Sequence, residues 1–286
     1  MLIKYRYFYF VLLISIFASC APVSLLNSIT PSKSYLIEKN VSYGGLGSQV
    51  MDIYQATTKK ENSPIIVFIH GGSWDSGSKD IYKFFAEGFT SEGYDVAVPN
   101  YRLFPEIIYP DMLHDTAKAV AYLSNLFSNR KVVLIGHSAG GYNALMVAMN
   151  KDYLEEEGIS VCSTISGVVS ISSPTGVYEL KKEPLISIFP SRFKHNDAPL
   201  AYVDNATPSL LVINGLADKT VGPKNAVILS ERINQRGGKS VLKLYPDTNH
   251  TQAVQVISRY FDNNISLKRD ILNFIDELPR DGNHCY

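Results

Sequence analysis

Residues 136–140, Gly-His-Ser-Ala-Gly, are the segment whose residue types and spacing most directly suggest chemistry. They follow the apolar run 132–135, which predicts a buried strand, and they precede residues 142–148, which predict a helix. Between a strand and a helix, the pattern G-x-S-x-G forms a strained turn that exposes the serine hydroxyl. Its small residues allow the two elements to approach closely. We therefore predict that Ser138 is a nucleophile; the alternative is a glycine-rich turn without chemistry.

A serine nucleophile needs a general base and an acid that orients the base, and after such a turn the acid precedes the histidine in the chain. Asp218 comes just after the apolar strand predicted for residues 209–213, at the strand end where the catalytic groups of a parallel sheet gather. His250 lies in a loop after the last predicted strand and can carry the serine proton to the leaving group. Asp247 is a competing acid nearer to His250 in the chain, but the strand-end position favours Asp218.

The segment His-Gly-Gly-Ser at residues 70–73 directly follows the apolar strand predicted for residues 65–69. A glycine-rich loop in this position supplies backbone N–H donors, because glycine lets the backbone itself approach the substrate oxygen. His70 is expected to brace this loop, and His137 is expected to be structural rather than catalytic. The predicted oxyanion hole consists of the N–H groups of Gly71, Gly72 and Ala139.

Strand-like apolar runs alternate with helix-length amphipathic segments from residue 65 onwards, which predicts a parallel sheet covered on both faces by helices. Two earlier strands, around residues 41–43 and 50–54, are expected to form an antiparallel hairpin that opens the sheet. The final helix is predicted over residues 252–278. Residues 174–207 are irregular and rich in proline, which indicates a small cap over the site; the alternative is a surface loop without a role.

The N-terminal residues have the pattern of a targeting signal rather than of a fold. Two basic residues precede the apolar stretch 8–17, which is shorter than the about 20 residues of a membrane span. Residues 16–20, Ile-Phe-Ala-Ser-Cys, resemble the lipobox of bacterial lipoproteins, which implies cleavage before Cys20 and lipid attachment there. An ordinary secretory signal or an uncleaved anchor is the alternative. We expect a signal peptide over 1–19, a tether over 20–39, a catalytic domain over 40–280 and a tail over 281–286.

The charged residues and the cysteines argue against a nucleic-acid partner and against a metal site. The chain carries 27 basic and 27 acidic residues, with no basic cluster that would follow nucleic-acid phosphates, so we expect no nucleic-acid partner. Cys162 lies in an apolar run that predicts a strand over residues 161–171, and it is expected to be a buried thiol. Neither Cys162 nor Cys285 has the spacing of a metal site, so no metal is expected.

Together these motifs resemble the α/β-hydrolase superfamily and, within it, the esterase and lipase group that carries His-Gly-Gly-x-Trp. Within this group the sequence resembles the bifunctional feruloyl and acetyl xylan esterase-like enzymes and the kynurenine formamidase-like enzymes. The resemblance implies an α/β-hydrolase fold and a Ser-His-Asp triad that works without a metal or organic cofactor. Ser73 replaces the third glycine of the hormone-sensitive-lipase pattern, which argues against that branch. The matching segments are His70–Trp74, Tyr101–Leu103, Gly136–Gly140, Asp218 and His250.

The sequence therefore predicts an extracytoplasmic, membrane-tethered serine carboxylesterase that cleaves short-chain or small aromatic esters through an acyl-serine. The alternative enzyme is an arylformamidase or other amide hydrolase, and a third hypothesis is a binding protein of this fold that has lost catalysis. Candidate walls of the substrate pocket are Trp74, Phe189 and Phe193, for which an ordinary core or surface position is the alternative.

Overall fold

One mixed sheet of eight strands forms the centre of the molecule. The computed structural model describes residues 23–176, 182–190, 197–261 and 266–279. In these residues the strand order is β1-β2-β4-β3-β5-β6-β7-β8; β2 is antiparallel to both neighbours, and the other pairs are parallel. This confirms the predicted sheet with its antiparallel opening hairpin. The strands are β1 (Tyr35–Ser42), β2 (Val50–Ala56), β3 (Ile65–Ile69), β4 (Val96–Pro99), β5 (Val132–His137), β6 (Ile165–Ile171), β7 (Leu210–Gly215) and β8 (Ser240–Tyr245).

Helices cover both faces of the sheet. They are α1 (Val23–Ile29), α2 (Lys83–Thr90), α3 (Asp111–Leu126), α4 (Ala139–Met149), α5 (Asp152–Glu156), α6 (Val161–Thr164), α7 (Leu185–Ile188), α8 (Lys224–Gln235), α9 (Gln252–Gln255) and α10 (Leu267–Glu277). Helices α3, α4, α5 and α8 pack into one hydrophobic core, and α1, α2 and α10 into the other. In β3 the first core takes Ile65 and Val67 while the second takes Ile66 and Phe68. Successive side chains of a strand point to opposite faces, so a fully apolar strand feeds both cores.

The folded domain begins earlier than the sequence predicts. Helix α1 buries Leu26, which is 1% exposed, and β1 begins at Tyr35, which is 5% exposed. The Asn27 side chain ties α1 to the body by donating to the Asp80 carbonyl and accepting from the Phe84 N–H. The tether predicted over residues 20–39 is therefore wrong for residues 23–39. Only a few side chains of residues 25–39 are buried, and most of the others are exposed. The composition of this segment therefore still resembles that of a linker.

Two further elements differ from the expected ones. The long C-terminal helix is two short helices, α9 and α10, and the strand expected over residues 161–171 begins with helix α6. Cys162 lies in α6, is half-buried and is disulfide-bonded, so the prediction of a buried thiol is wrong. Over the described ranges, no helix is both long and apolar enough to span a membrane. Residues 1–22, with Cys20, and the tail 281–286 lie outside those ranges.

The described parts of the 174–207 insertion contact α4 and the segment just before α3. The Tyr109 N–H donates to the Ile188 carbonyl at 2.8 Å, and the Tyr142 hydroxyl donates to the Asp197 carbonyl at 3.0 Å. Tyr142 belongs to α4, the helix that follows Ser138. The insertion is therefore fastened to the element that carries the candidate nucleophile. Residues 177–181 and 191–196, including Phe193, are outside the described part of the chain.

Candidate active site

The turn at Ser138 joins the central strand β5 to α4. Ser138 has φ 55° and ψ −123°, a conformation that non-glycine residues rarely adopt. Its N–H donates to the Ile171 carbonyl at the end of β6 at 2.9 Å, and its own carbonyl accepts from the N–H groups of Gly141 and Tyr142. Every residue of α4 is buried. Packing around the helix and backbone hydrogen bonds on both sides hold the strained turn, as the sequence pattern requires.

Glycine is required at position 140 because α4 crosses the end of β3 at close range. A Cβ atom at Gly140 would lie 2.1 Å from the Ile69 carbonyl oxygen and 2.3 Å from that of His70. Both contacts are with backbone, which cannot move aside without disturbing β3. We expect Gly140→Ala to lower the free energy of unfolding by about 3 kcal/mol or more, the upper range for overpacked cores. Urea unfolding measures this, with exposed Gly45→Ala as control because a Cβ there meets nothing within 4 Å. Equal stability of the two variants would contradict the expectation.

Three loops bring Ser138, His250 and Asp218 into a chain of hydrogen bonds. Ser138 Oγ lies 2.9 Å from His250 Nε2, and His250 Nδ1 lies 2.8 Å from Asp218 Oδ2. The His250 side chain is 17% exposed and that of Asp218 is 0% exposed. Because a carboxylate only accepts hydrogen bonds, Nδ1 carries the proton and the Nε2 lone pair faces the serine hydroxyl. This is the geometry in which a histidine can act as a general base toward serine.

Asp218 is held as a carboxylate by its surroundings. Its Oδ1 accepts from the N–H groups of Thr220 and Val221, both at 2.9 Å, while Oδ2 accepts from His250. Burial raises the pKa of Asp218, but the hydrogen bonds from His250 and the Val221 N–H outweigh it and hold the pKa below its usual value. The competing acid Asp247 is exposed to solvent. Asp218 is thus the acid that contacts the histidine, and the two backbone donors are contacts that the sequence does not reveal.

The glycine-rich loop after β3 lies against the nucleophile. A Cβ atom at Gly71 would be 3.1 Å from Ser138 Cβ, and Gly72 has φ +130°, a region that favours glycine. Ala139 is the first residue of α4, where backbone N–H groups have no acceptor within the helix. Gly71 and Ala139 thus lie next to Ser138 on two sides, and Gly72 follows Gly71 in the same loop. That the three N–H groups form an oxyanion hole stays a prediction. His70 braces this loop as expected: its ring stacks on Tyr101 at 4.5 Å, and its Nδ1 lies 2.9 Å from the Gly71 carbonyl.

Two buried histidines next to the site should make stability depend on pH. Burial lowers the pKa of His70 to about 4 and that of His137 to about 3. In the unfolded chain both protonate near the ordinary value of about 6.5. Below pH 6.5, unfolding therefore takes up protons. The contribution of each neutral histidine to the free energy of unfolding is complete above about pH 6.5 and falls as the pH drops, by up to about 1.4 kcal/mol per pH unit.

We expect urea titrations between pH 7 and 4.5 to show this decline. His70→Asn, which keeps a donor at the Nδ1 position, should reduce the slope. Equal slopes for wild type and His70→Asn would contradict the assignment.

The candidate pocket aromatics belong to a buried cluster beside the glycine-rich loop. Trp74 and Phe189 are 3% and 8% exposed, and their rings meet edge to face at 4.8 Å. Trp74 also packs edge to face on Tyr142 and donates from Nε1 to Asn143 Oδ1 at 2.8 Å. Both residues therefore take core positions next to α4, and their role as walls of a substrate pocket stays a prediction. Phe193 lies outside the described residues.

Two other features lie apart from this constellation. A cavity of about 840 Å³ opens near the starts of β3 and β5, where Pro64, Lys131 and Leu278 are among its lining residues. The catalytic constellation lies at the opposite, carboxyl ends of these strands. No group of three or more His, Cys, Asp and Glu side chains that could hold a metal ion occurs within residues 23–176, 182–190, 197–261 and 266–279.

Comparison with known proteins agrees with this architecture. The sequence profile of the BD-FAE family matches residues 51–233. The chain is 21% identical to an isoprenylcysteine alpha-carbonyl methylesterase of Arabidopsis thaliana over an alignment of 241 residues. That alignment covers 75% of this chain and 56% of the relative. It is 28% identical over 151 residues to a kynurenine formamidase of Salmo salar, covering 52% of this chain and 48% of the relative. The chain thus spans about half the length of these relatives.

Solved structures resemble this chain more in fold than in amino-acid sequence. A truncated carbohydrate esterase from gut microbiota superposes with a TM-score of 0.75 at 19% identity, over 87% of this chain and 98% of that one. The superposition, at so low an identity, shows a shared fold and nothing further. The predicted α/β-hydrolase architecture is therefore confirmed both by the sheet order and by comparison with a solved member of that fold.

Proposed function

This chain belongs to the BD-FAE family, and from that membership together with the geometry around Ser138 we propose that it is a serine carboxylesterase. The observation that carries the proposal is the unbroken chain of contacts from Asp218 through His250 to Ser138, with separations of 2.8 and 2.9 Å. A nucleophile, a base and an acid in this arrangement are what acyl transfer to serine needs. The substrates we propose are short-chain or small aromatic esters.

The mechanism follows from the positions of the protons. As Ser138 Oγ attacks the ester carbonyl carbon, its proton passes to His250 Nε2, and Asp218 stabilises the imidazolium that forms. Negative charge then develops on the carbonyl oxygen, where the N–H groups of Gly71, Gly72 and Ala139 are the proposed donors. The imidazolium protonates the departing alkoxide, which breaks the ester C–O bond and leaves an acyl-serine. A water molecule, deprotonated by His250, releases the acid by the same steps in reverse.

An arylformamidase is the second candidate function, because residues of this chain also align with a kynurenine formamidase at 28% identity. The same nucleophile and base would attack a formamide, and an amine would leave instead of an alcohol. The two proposals share every residue of the triad and differ only in which substrate fits. Only the rates of hydrolysis of esters and formamides can distinguish the two proposals.

The experiment measures kcat/KM for p-nitrophenyl esters of increasing acyl length and for formyl-kynurenine with the purified protein. A small-pocket esterase is expected to prefer acetate or butyrate and to lose activity steeply with longer chains. Faster cleavage of formyl-kynurenine than of every ester would transfer the assignment to the formamidase. Mass spectrometry after treatment with a fluorophosphonate should place the adduct on Ser138. Failure to hydrolyse any substrate and to form an adduct would leave the binding-protein hypothesis.

We further propose that the protein is a bacterial lipoprotein anchored through Cys20. Support comes from residues 16–20, which resemble a lipobox, and from the apolar stretch 8–17 that precedes them. If lipid is attached at Cys20, only two residues separate it from α1, so the catalytic domain would lie directly on the membrane. Incorporation of labelled palmitate into the wild type, and its loss in Cys20→Ser, is the expected result. A mature protein without lipid would overturn the assignment.

A further inference from the structure

His137, the residue before Ser138, contacts both of the other loops that form the site. Its Nε2 lies 3.0 Å from the main-chain carbonyl oxygen of His250, and the two imidazole rings are 4.8 Å apart between centroids. On its other side, a Cβ atom at Gly71 would lie 3.1 Å from His137 Nδ1. The His137 side chain is therefore packed between the glycine-rich loop and the loop that carries the base. The residue is 6% exposed.

The contact with His250 defines which proton His137 holds. A carbonyl oxygen only accepts, so Nε2 of His137 must carry a proton and donate it. Nδ1 is buried and makes no hydrogen bond within the described residues. Because a buried N–H without an acceptor is unfavourable, Nδ1 is the unprotonated nitrogen of the ring. Burial, reinforced by the proximity of His250, lowers the pKa of His137 to about 3. The ring consequently stays neutral when His250 becomes an imidazolium, and it adds no repelling charge beside it.

His250 is thus held at three atoms by two segments of the chain, the junction of β5 with α4 and the loop after β7. Asp218 binds its Nδ1, Ser138 faces its Nε2, and His137 binds its carbonyl oxygen. Asp218 orients the ring, but it does not restrain the position of the backbone from which the ring extends. His250 lies between β8 and the short α9, outside regular structure. An anchor on its main chain limits movement of the ring toward or away from Ser138.

We propose that His137 is a positioning residue that holds His250 within reach of Ser138 by donating a hydrogen bond to the His250 main chain. The inference rests on the proposed esterase function and assigns a role to the second residue of the Gly-His-Ser-Ala-Gly segment. Displacement of a catalytic group by about 1 Å can cost about 10²-fold in rate. Loss of this anchor should therefore lower kcat and leave KM nearly unchanged.

The test compares three substitutions that place a donor differently. Glutamine reaches as far from the backbone as His Nε2 does, asparagine only as far as Nδ1, and leucine has no donor. We expect His137→Gln to retain most of the wild-type kcat, whereas His137→Asn and His137→Leu lower kcat about 10²-fold. His114 lies in α3 with its side chain 41% exposed, and the same three changes there are the matched control and should not alter kcat. Thermal unfolding of every variant separates a loss of positioning from a loss of folded protein.

A second readout reports the His250 ring directly. The proton shared between His250 Nδ1 and Asp218 gives a far-downfield proton resonance, which should persist in wild type and His137→Gln and broaden or vanish in His137→Leu. If all three folded variants keep wild-type kcat and resonance, the inference is overturned. It is also overturned if His137→Gln loses as much activity as His137→Leu, because the donor would then not matter. An inactive wild type would instead refute the esterase proposal.

Discussion

Ser138→Ala is expected to lower kcat for ester hydrolysis by on the order of 10⁶-fold, because the triad acts as a unit and fails when its nucleophile is removed. The structure offers no substitute at the same position, since Oγ is the atom that faces His250 Nε2 at 2.9 Å. The variant should also fail to form a fluorophosphonate adduct. Any residual rate would come from binding and from the proposed oxyanion donors, which do not depend on the serine hydroxyl.

The control for Ser138→Ala is the same change at Ser128, an exposed serine that follows α3. It should leave kcat and labelling at their wild-type values. Both variants should unfold cooperatively near the wild-type temperature, since each removes only one hydroxyl group. Wild-type activity in folded Ser138→Ala would refute the assignment of the nucleophile and with it the proposed mechanism.

Asp218→Asn is expected to lower kcat about 10⁴-fold, the loss that follows when the histidine adopts the wrong tautomer. The neighbours of Asp218 explain why the tautomer must change. The N–H groups of Thr220 and Val221 both donate to Oδ1, so an asparagine must place its carbonyl oxygen there and turn its NH₂ toward His250. His250 Nδ1 then has to accept, and its proton moves to Nε2. With Nε2 protonated, the ring cannot take the proton of Ser138.

Asp247→Asn is the matched control for the acid. Asp247 precedes His250 by three positions in the chain, but its side chain is exposed, and the contact with Nδ1 belongs to Asp218. We expect this variant to keep kcat within about twofold of wild type, as for surface substitutions away from the site. A large loss in Asp247→Asn together with a small one in Asp218→Asn would reverse the assignment of the orienting acid.

Local patterns in the sequence were sufficient for the elements that carry the site. The apolar run of β3 is predicted with the bounds that the structure has, and the G-x-S-x-G turn falls between β5 and α4. These features depend on neighbouring residues: a strand buried on both faces must be apolar throughout, and a strained turn needs small residues beside it. The order of the acid and the histidine along the chain follows from the same fold, so both candidates could be named before any distance was known.

Contacts between distant segments were decided only by the tertiary structure. Leu26 in α1 has no periodic pattern around it, and its burial depends on where α2 presents an apolar surface. The contact of His137 with the His250 carbonyl joins residues 113 positions apart. The sequence already favours Asp218 over Asp247, but the 2.8 Å contact with His250 Nδ1 depends on the path of the loop after β7. A sequence records the propensity of each segment for strand, helix or turn. Loop positions result from packing over the whole chain, because no single segment contains the partners that hold them.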